Sequence, residues 1–154
     1  SSDLMVFDEG LYDPANEPDI AYAHLFSYFR GEEWRTQKET QRLLDKYFTT
    51  KPNGIPGNDD TGTMSAWAIF NMIGFYPDCP GLPEYTLTTP VFNRVTIRLD
   101  PKWYKEKELV IESNRTQPGT LYINKVLLNG KKFNQYRITH DELVHSQRIL
   151  FDLK

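Results

Sequence analysis

Two neighbouring carboxylates, Asp59 and Asp60, stand in a short turn just before an apolar stretch that begins at Met64. The apolar stretch predicts a helix, and the peptide N–H groups at a helix start carry partial positive charge. Carboxylates held there stay ionised, and an ionised carboxylate on a rigid turn can serve as a general base or a metal ligand. Aspartate also caps helices routinely, and the local pattern by itself favours that simpler role.

A second acidic segment stands upstream, where Asn16 and Glu17 precede Pro18 and Asp19. A carboxylate beside an amide oxygen supplies the hard oxygen ligands that calcium prefers, at about 2.3–2.6 Å. Calcium takes about six to eight oxygens, so Asn16 and Glu17 would form only part of a site that substrate hydroxyls or water complete. On local grounds, a helix cap with solvent-facing acids explains the same residues and is the favoured interpretation.

Five segments, taken together, carry a resemblance to a known family. They are residues 16–20, 34–38, 57–67 and 74–81, and Tyr85 followed by residues 90–92. Their order and spacing resemble the C-terminal part of the family 92 glycoside hydrolases, which are calcium-dependent exo-acting α-mannosidases. The resemblance runs from about Gly10 to the end of the chain. Ala15 departs from it, because the family pattern has glycine at that position.

The resemblance implies a role for each acidic segment. Glu17 and Asn16 are candidate calcium ligands, and the calcium of these enzymes grips the 2- and 3-hydroxyls of the mannoside. Asp60 is the candidate general base, Asp59 serves the metal shell or orients the turn, and Asn58 helps to fix the attacking water. Glycoside hydrolysis with inversion needs such a base and an acid on the other side of the bond, with the carboxyls about 6.5–9.5 Å apart.

The general acid has no counterpart in this sequence. Family 92 enzymes take it from a glutamate in an earlier segment of the chain, and no stretch here resembles that segment. We therefore expect a fragment that is inactive alone on α-mannoside glycans and that works with the remainder of its parent chain. The first residues, Ser1-Ser2-Asp3 without methionine, agree with a processed or excised piece.

Trp34 and Gln37 are weaker candidates for binding the substrate. Trp34 can stack on the apolar face of a sugar, and Gln37 lies on the buried side of a predicted helix, where its amide needs a partner. Aromatic residues at helical spacing are more often part of the core. Trp67 and His24 are therefore interpreted as core residues.

The first half of the chain predicts helices and the second half predicts strands. Apolar spacing gives helices over residues 16–31, 32–48 and 63–73, the last of them apolar on all sides. From residue 95 the period shifts to two, and Asn129-Gly130 predicts a hairpin turn. The fold class is therefore α+β. Residues 1–83 form helical hairpins, which the resemblance places in an (α/α)6 toroid, and residues 84–154 form a small antiparallel β-sandwich of four to six strands.

Composition narrows the class of partners. The 154-residue chain has a net charge of −3 and no basic block, which argues against a nucleic-acid partner. No apolar run approaches the length of a membrane span. The single cysteine, Cys79, cannot form an internal disulfide. The resemblance implies a parent that is periplasmic, attached to the cell surface or secreted.

A non-enzymatic function stays open as an alternative to the mannosidase interpretation. A helical hairpin followed by a sandwich also suits a non-catalytic interaction or glycan-binding module, in which the same acidic residues only cap helices and turns. The third predicted helix bears on this choice, because three helices cannot cover a segment that is apolar all round. Further helices of a parent chain would cover it, and so would dimerisation of the isolated fragment.

Overall fold

The computed structural model describes residues 13–154, except for the side chain of Glu17. Two 3₁₀ segments, Glu17–Asp19 and Tyr22–Tyr28, come first. Helix α1 (Glu33–Tyr47) follows, and then a 3₁₀ turn (Asp60–Gly62) leads into helix α2 (Thr63–Ile73). A short helix α3 (His140–Val144) comes late in the chain. The strands are β1 (Phe75–Tyr76), β2 (Glu84–Leu87), β3 (Arg94–Arg98), β4 (Glu108–Arg115), β5 (Ile123–Leu128), β6 (Lys131–Phe133), β7 (Arg137–Thr139) and β8 (Arg148–Leu153).

The prediction of a continuous α-helix over residues 16–31 is wrong. The segment forms two 3₁₀ pieces, in which the His24 N–H donates to the Ala21 carbonyl at 2.9 Å. An α-helix would direct that N–H to the carbonyl of Ile20. Here the indole N–H of Trp67 donates to the Ile20 carbonyl at 3.0 Å. A tertiary contact thus takes the acceptor that an α-helical turn would use, and the tighter 3₁₀ pattern follows.

The second and third predicted helices are confirmed. Helix α1 differs from the predicted bounds by one residue at each end, and α2 has the predicted bounds. Gly74 ends α2 with a φ of +117°, a left-handed conformation that favours glycine. Trp67 and Met64 are buried, whereas Ile69 on the opposite face of α2 is 56% exposed. The described residues therefore leave part of this apolar helix uncovered.

The strands form a three-stranded sheet in the order β1-β2-β7 and a five-stranded sheet in the order β3-β4-β8-β5-β6. The Asn129-Gly130 hairpin is confirmed, since both residues have positive φ and β5 pairs with β6 across them. The prediction of purely antiparallel strands is wrong for one pair, because β4 and β8 run parallel. The chain between them contains three strands and α3, which is long enough for the crossover that a parallel pair requires.

Both sheets contribute to one apolar core, in which Phe75 and Ile138 of the smaller sheet pack with Ile111 and Phe151 of the larger. A second cluster joins the helices through Ala23, Leu43, Leu44, Trp67 and Ala68. The α+β class is thus confirmed. Strand β1 pairs with β2 across the predicted boundary between residues 83 and 84. The division into two units, the toroid and the sandwich stay predictions.

Within residues 13–154, none of the helices combines the length and the apolar character that crossing a bilayer would require. Within the same residues, Cys79 is a partly buried free thiol.

Candidate active site

The two acidic segments meet through their backbones. Gly57 has a φ of +61°, and a Cβ atom built on it would lie 2.7 Å from the Cβ of Ala15 and 3.0 Å from the Ala15 carbonyl oxygen. Both the left-handed φ and the close approach require glycine at this position. The chain that enters Asn16 and the turn that carries Asp59 and Asp60 therefore lie side by side. We refer to residues 15–17 and 57–60 as the acidic edge.

Asp59 caps helix α2 from outside it. One carboxylate oxygen accepts the Ser65 backbone N–H at 2.9 Å, and the other accepts the Ser65 hydroxyl at 2.5 Å. These hydrogen bonds from Ser65, the hydroxyl bond first, hold the pKa of Asp59 below its ordinary value. The Asp59 side chain is thus ionised, and both its oxygens are committed to the helix start.

Asp60 differs from its neighbour in what its side chain does. Its backbone carbonyl accepts the Thr61 and Thr63 hydroxyls at 2.7 and 2.6 Å, whereas its exposed carboxylate has no hydrogen-bond donor among the described residues. Thr61 has a φ of +52°, which is unusual for a β-branched residue. Strained backbone of this kind concentrates at functional sites. The turn is rigid, and it leaves the Asp60 carboxylate available to bind something else.

The remaining predicted site residues of the acidic edge are Asn16, Glu17 and Asn58. Asn16 and Asn58 are exposed. The Asn16 N–H donates to the Asp13 carbonyl at 3.1 Å, and its own carbonyl accepts the Asp19 N–H at 2.9 Å, so its backbone is fixed. The side chain of Glu17 lies outside the described residues, and its role as a calcium ligand stays a prediction.

Side chains of helix α2 contact both the 3₁₀ region that follows Asn16 and the end of α1, on the buried side of the acidic edge. Trp67 reaches the Ile20 carbonyl, and its indole stacks on Phe48 with ring centroids 5.4 Å apart. One turn later, the Asn71 side-chain oxygen is 2.9 Å from Nε2 of His24. Complete burial lowers the pKa of His24 to about 4, so this histidine is neutral near pH 7. Trp67 and His24 are thus core residues, as predicted.

A buried ion pair that the sequence analysis missed fixes the 3₁₀ segment from the other side. Arg137 on β7 donates to Asp78 at 3.1 Å and to Thr86 at 2.7 Å, and its guanidinium lies 4.3 Å from the centre of the Tyr28 ring. Thr86 in turn donates to Asp78 at 2.8 Å. The partners come from four separate stretches of sequence, and no local motif marks them. We call Asp78, Arg137 and Thr86 the buried pair network, and Tyr28, which is 50% exposed, covers it from the surface.

Trp34 and Gln37 lie far from the acidic edge. Gln37 is 2% exposed, and its side-chain oxygen accepts the Ile123 N–H at 2.9 Å. Ile123 belongs to the five-stranded sheet, which meets the C-terminal end of α2 where Gly74 approaches Phe151. Asp59 and Asp60 precede the opposite end of this helix, which is about 16 Å long. The structure therefore sets the segment of Asn16 beside the segment of Asn58, Asp59 and Asp60. It places Trp34 and Gln37 elsewhere.

No group of three or more histidine, cysteine, aspartate or glutamate side chains forms a metal cage in the part of the chain that the structure describes. The acidic edge offers another donor set there, namely amide oxygens at Asn16 and Asn58 and a carboxylate at Asp60. Hard oxygens of this kind suit calcium rather than a transition metal.

Comparison with known proteins identifies the family of the chain. The catalytic-domain model of glycosyl hydrolase family 92 matches residues 3–154, nearly the whole chain. The chain belongs to glycoside hydrolase family 92. The resemblance given by the two acidic segments is thereby confirmed at the level of the family.

Solved structures of the same family superpose on the chain. A family 92 α-mannosidase of Bacteroides thetaiotaomicron, solved in complex with mannoimidazole, is 32% identical with a TM-score of 0.85 over 94% of this chain. An inverting mannosidase of the same family and organism is 32% identical with a TM-score of 0.83 over 98%. A secreted glycosidase of Arthroderma benhamiae is 29% identical over 82% of this chain.

These relatives are much longer than this sequence. The chain spans 18% and 20% of the two Bacteroides enzymes and 16% of the Arthroderma protein. The family model describes a catalytic domain, so this chain represents part of a glycoside hydrolase.

Proposed function

We propose that this chain supplies the water-activating and calcium-binding part of an inverting exo-α-mannosidase that removes terminal mannose from glycans. The observation that carries the proposal is the contact between Gly57 and Ala15, which sets the two acidic segments side by side. Family membership supports the hydrolytic chemistry, and the mannosidase neighbours support the sugar. The secreted relative supports a location outside the cytoplasm.

Asp60 is the general base in this proposal. A general base must be ionised and free to accept a proton from water. Asp59 is ionised, but both its carboxylate oxygens accept hydrogen bonds from Ser65. The exposed Asp60 carboxylate has no hydrogen-bond donor among the described residues. Asp59 then orients the turn, and Asn58 contributes an amide that can hold the same water.

Calcium would be held by Asn16 and Glu17. The donor chemistry fits, since amide and carboxylate oxygens are the ligands that calcium prefers and the Asn16 backbone is fixed by two hydrogen bonds. Bound there, the ion would polarise and orient the sugar hydroxyls. The protein's own contribution is to hold Asn16 beside the Asp60 turn through the Ala15–Gly57 contact.

The proposal assigns the general acid to another part of the parent enzyme. In the same proposal, α1 and α2 belong to an (α/α)6 toroid, and the β-strands form an accessory sandwich beside it. The uncovered face of α2 around Ile69 then packs against the remainder of that enzyme. The chain alone would lack one of the two carboxyls that inversion needs.

The test uses the full-length enzyme that contains this chain and an aryl α-mannoside. We expect turnover with calcium, its loss on chelation and its return on adding calcium back. Proton NMR during the first minutes should show β-mannose as the initial product. Initial α-mannose would contradict inversion, and full activity after chelation would contradict the calcium assignment. Robust turnover by residues 1–154 alone would contradict the assignment of the acid.

The exposed Ile69 face also favours a second candidate, a non-catalytic module whose apolar helix binds another protein or a second copy of the chain. Two measurements on the full-length protein distinguish the mannosidase hypothesis from the module hypothesis. If calcium changes neither the melting temperature nor mannose binding, the module hypothesis is favoured. If calcium changes either of them, the mannosidase hypothesis is favoured.

A further inference from the structure

A second concave surface lies where the first turn of α1 meets the five-stranded sheet. We call it the accessory cleft, and its walls are Trp34, Gln37, Tyr122, Ile123, Tyr136 and Lys154. Three of these six residues carry large rings that have an apolar body and a polar group at one edge. A cleft with such walls and a few convergent polar groups has the usual make-up of a small-molecule site.

Two of the rings are held in a fixed arrangement. Trp34 and Tyr122 meet edge to face, with ring centroids 6.3 Å apart and an interplanar angle of 72°. The backbone of Tyr122 is fixed by its hydrogen bonds with Lys154, at 3.0 and 2.8 Å. The Arg35 guanidinium lies 5.3 Å from the centre of the Trp34 ring, yet Trp34 is 41% exposed, so part of the indole remains open. A rigid, half-open indole is a platform for a flat apolar surface.

The polar group at the floor of the accessory cleft is Gln37. Its side chain is 2% exposed, and its oxygen accepts the Ile123 N–H at 2.9 Å. Among residues 13–154 no hydrogen bond is seen from its NH₂ group, which carries two donors and is not one of the fully buried polar groups that lack a partner, so these donors face the cleft. An amide whose NH₂ group is open to the cleft can donate to a ligand that presents an acceptor there. Lys154 adds a positive charge at the rim.

The accessory cleft is separate from the acidic edge. Thr89 donates to the Leu121 carbonyl at 2.6 Å, and the Thr88 N–H donates to the Gly74 carbonyl at 2.9 Å. These bonds place the entry to β5 at the C-terminal end of α2. The acidic turn precedes the N-terminal end, about 16 Å away along the helix. One mannose residue cannot contact both sites at once.

We propose that the accessory cleft is a glycan-binding site that takes a mannose residue of the substrate away from the bond being cleaved. The inference rests on the proposed function for the choice of sugar. A pyranose ring has an apolar C–H face that can lie on the Trp34 indole, and it has hydroxyl oxygens that can accept from the Gln37 amide and Lys154. Such a site raises the affinity for long α-mannans and leaves the cleavage of small mannosides unchanged.

The test compares three variants of the full-length enzyme by gel retardation in soluble α-mannan, with Asp60→Asn added to each so that the glycan is not hydrolysed. We expect Trp34→Ala to weaken mannan binding about tenfold and Trp34→Phe to weaken it less. Trp103→Ala should have no effect, because Trp103 is an exposed tryptophan outside the cleft and serves as the matched control. Equal retardation of Trp34→Ala and Trp103→Ala would overturn the inference.

A second arm uses the active enzyme and an aryl α-mannoside. Trp34→Ala should keep the wild-type kcat/KM, since the small substrate reaches only the acidic edge. A matching loss of kcat/KM would place Trp34 in the catalytic subsite and overturn the inference. Absence of turnover in the wild type would contradict the proposed function instead, and the retardation assay would still report on the cleft. If Trp34→Ala lowers the melting temperature, Lys154→Ala provides the binding measurement, and unchanged retardation there counts against the cleft.

Discussion

Asp78 and Asp60 both lie in short segments that join regular elements, but the fold uses their carboxylates in opposite ways. The Asp78 side chain is 1% exposed and accepts hydrogen bonds from Arg137 and Thr86. The Asp60 side chain is exposed and accepts none from the described residues. The Asp78 carboxylate forms its hydrogen bonds inside the protein. The Asp60 carboxylate remains available to bind a ligand. The proposed site residue thus differs from the structural one in its unused hydrogen-bonding capacity and not in its residue type.

The pKa of Asp78 shows how the buried pair network works. Burial alone would raise it, yet hydrogen bonds from Arg137 and Thr86 outweigh burial and leave the pKa below its ordinary value. Charge is retained in the interior because a partner of opposite sign is fixed beside it. The network thereby anchors Tyr28 and the 3₁₀ segment that leads back to the acidic edge.

The largest expected effect comes from Asp78→Asn. The substitution removes the buried carboxylate that pairs with Arg137 and leaves only Glu84, a 38% exposed carboxylate 3.3 Å from the guanidinium, so we expect a loss of about 3 kcal/mol of unfolding free energy. Urea denaturation followed by circular dichroism measures it. Asp60→Asn is the matched control and should unfold like the wild type. Equal stability of the two variants would remove the distinction between the two carboxylates.

The next effect is the pH dependence set by His24. Its pKa falls from 6.5 in the unfolded chain to about 4 in the fold because of burial, so below pH 6.5 the unfolded state binds more protons. Stability should therefore be fully present above pH 6.5 and decline as the pH falls towards about 4, by on the order of 3 kcal/mol. Denaturation curves across this range measure it. His24→Gln has no titrating group and should flatten that part of the profile; an unchanged profile would contradict the assignment.

Gly57→Ala tests the contact that creates the acidic edge. The new Cβ would meet Ala15 at 2.7 Å in a left-handed backbone, and we expect a loss of about 1–3 kcal/mol. Gly119→Ala is the matched control, because Gly119 has a φ of +82° but no atom within 4 Å of the added Cβ. Denaturation of both variants isolates the contribution of the contact. Equal losses would mean that the two acidic segments are not held against each other.

The smallest effect is expected for Asp59→Asn. Ser65 lowers the pKa of Asp59, so its ionised form stabilises α2 above the ordinary aspartate pKa, and the stabilisation is lost as the pH falls through the lowered value. Melting curves of wild type and variant should differ slightly near neutral pH and converge in acid. A difference that persists in strong acid would show that the carboxylate charge is not responsible.

Local signals in the sequence predicted α1, α2, the Asn129-Gly130 hairpin and the acidic residues, because each depends on neighbours a few positions away. The prediction of the first helix was wrong because the Ile20 carbonyl accepts a hydrogen bond from Trp67. That partner is distant in sequence, so no local pattern indicates it. The Asp78–Arg137 pair and the parallel β4–β8 pairing are equally long-range. Helix α3 was within reach of sequence reasoning, because Thr139 and Glu142 form a capping box with the usual three-residue spacing.

The most direct test of the account is the turnover of Asp60→Asn in the full-length enzyme, measured with an aryl α-mannoside at saturating calcium. We predict a fall in kcat of about 10²–10⁴ with an unchanged melting temperature. Asp100→Asn, which alters an exposed carboxylate in the loop between β3 and β4, should retain wild-type turnover. Wild-type turnover by folded Asp60→Asn would contradict the claim that the unpartnered carboxylate of the acidic edge activates the water.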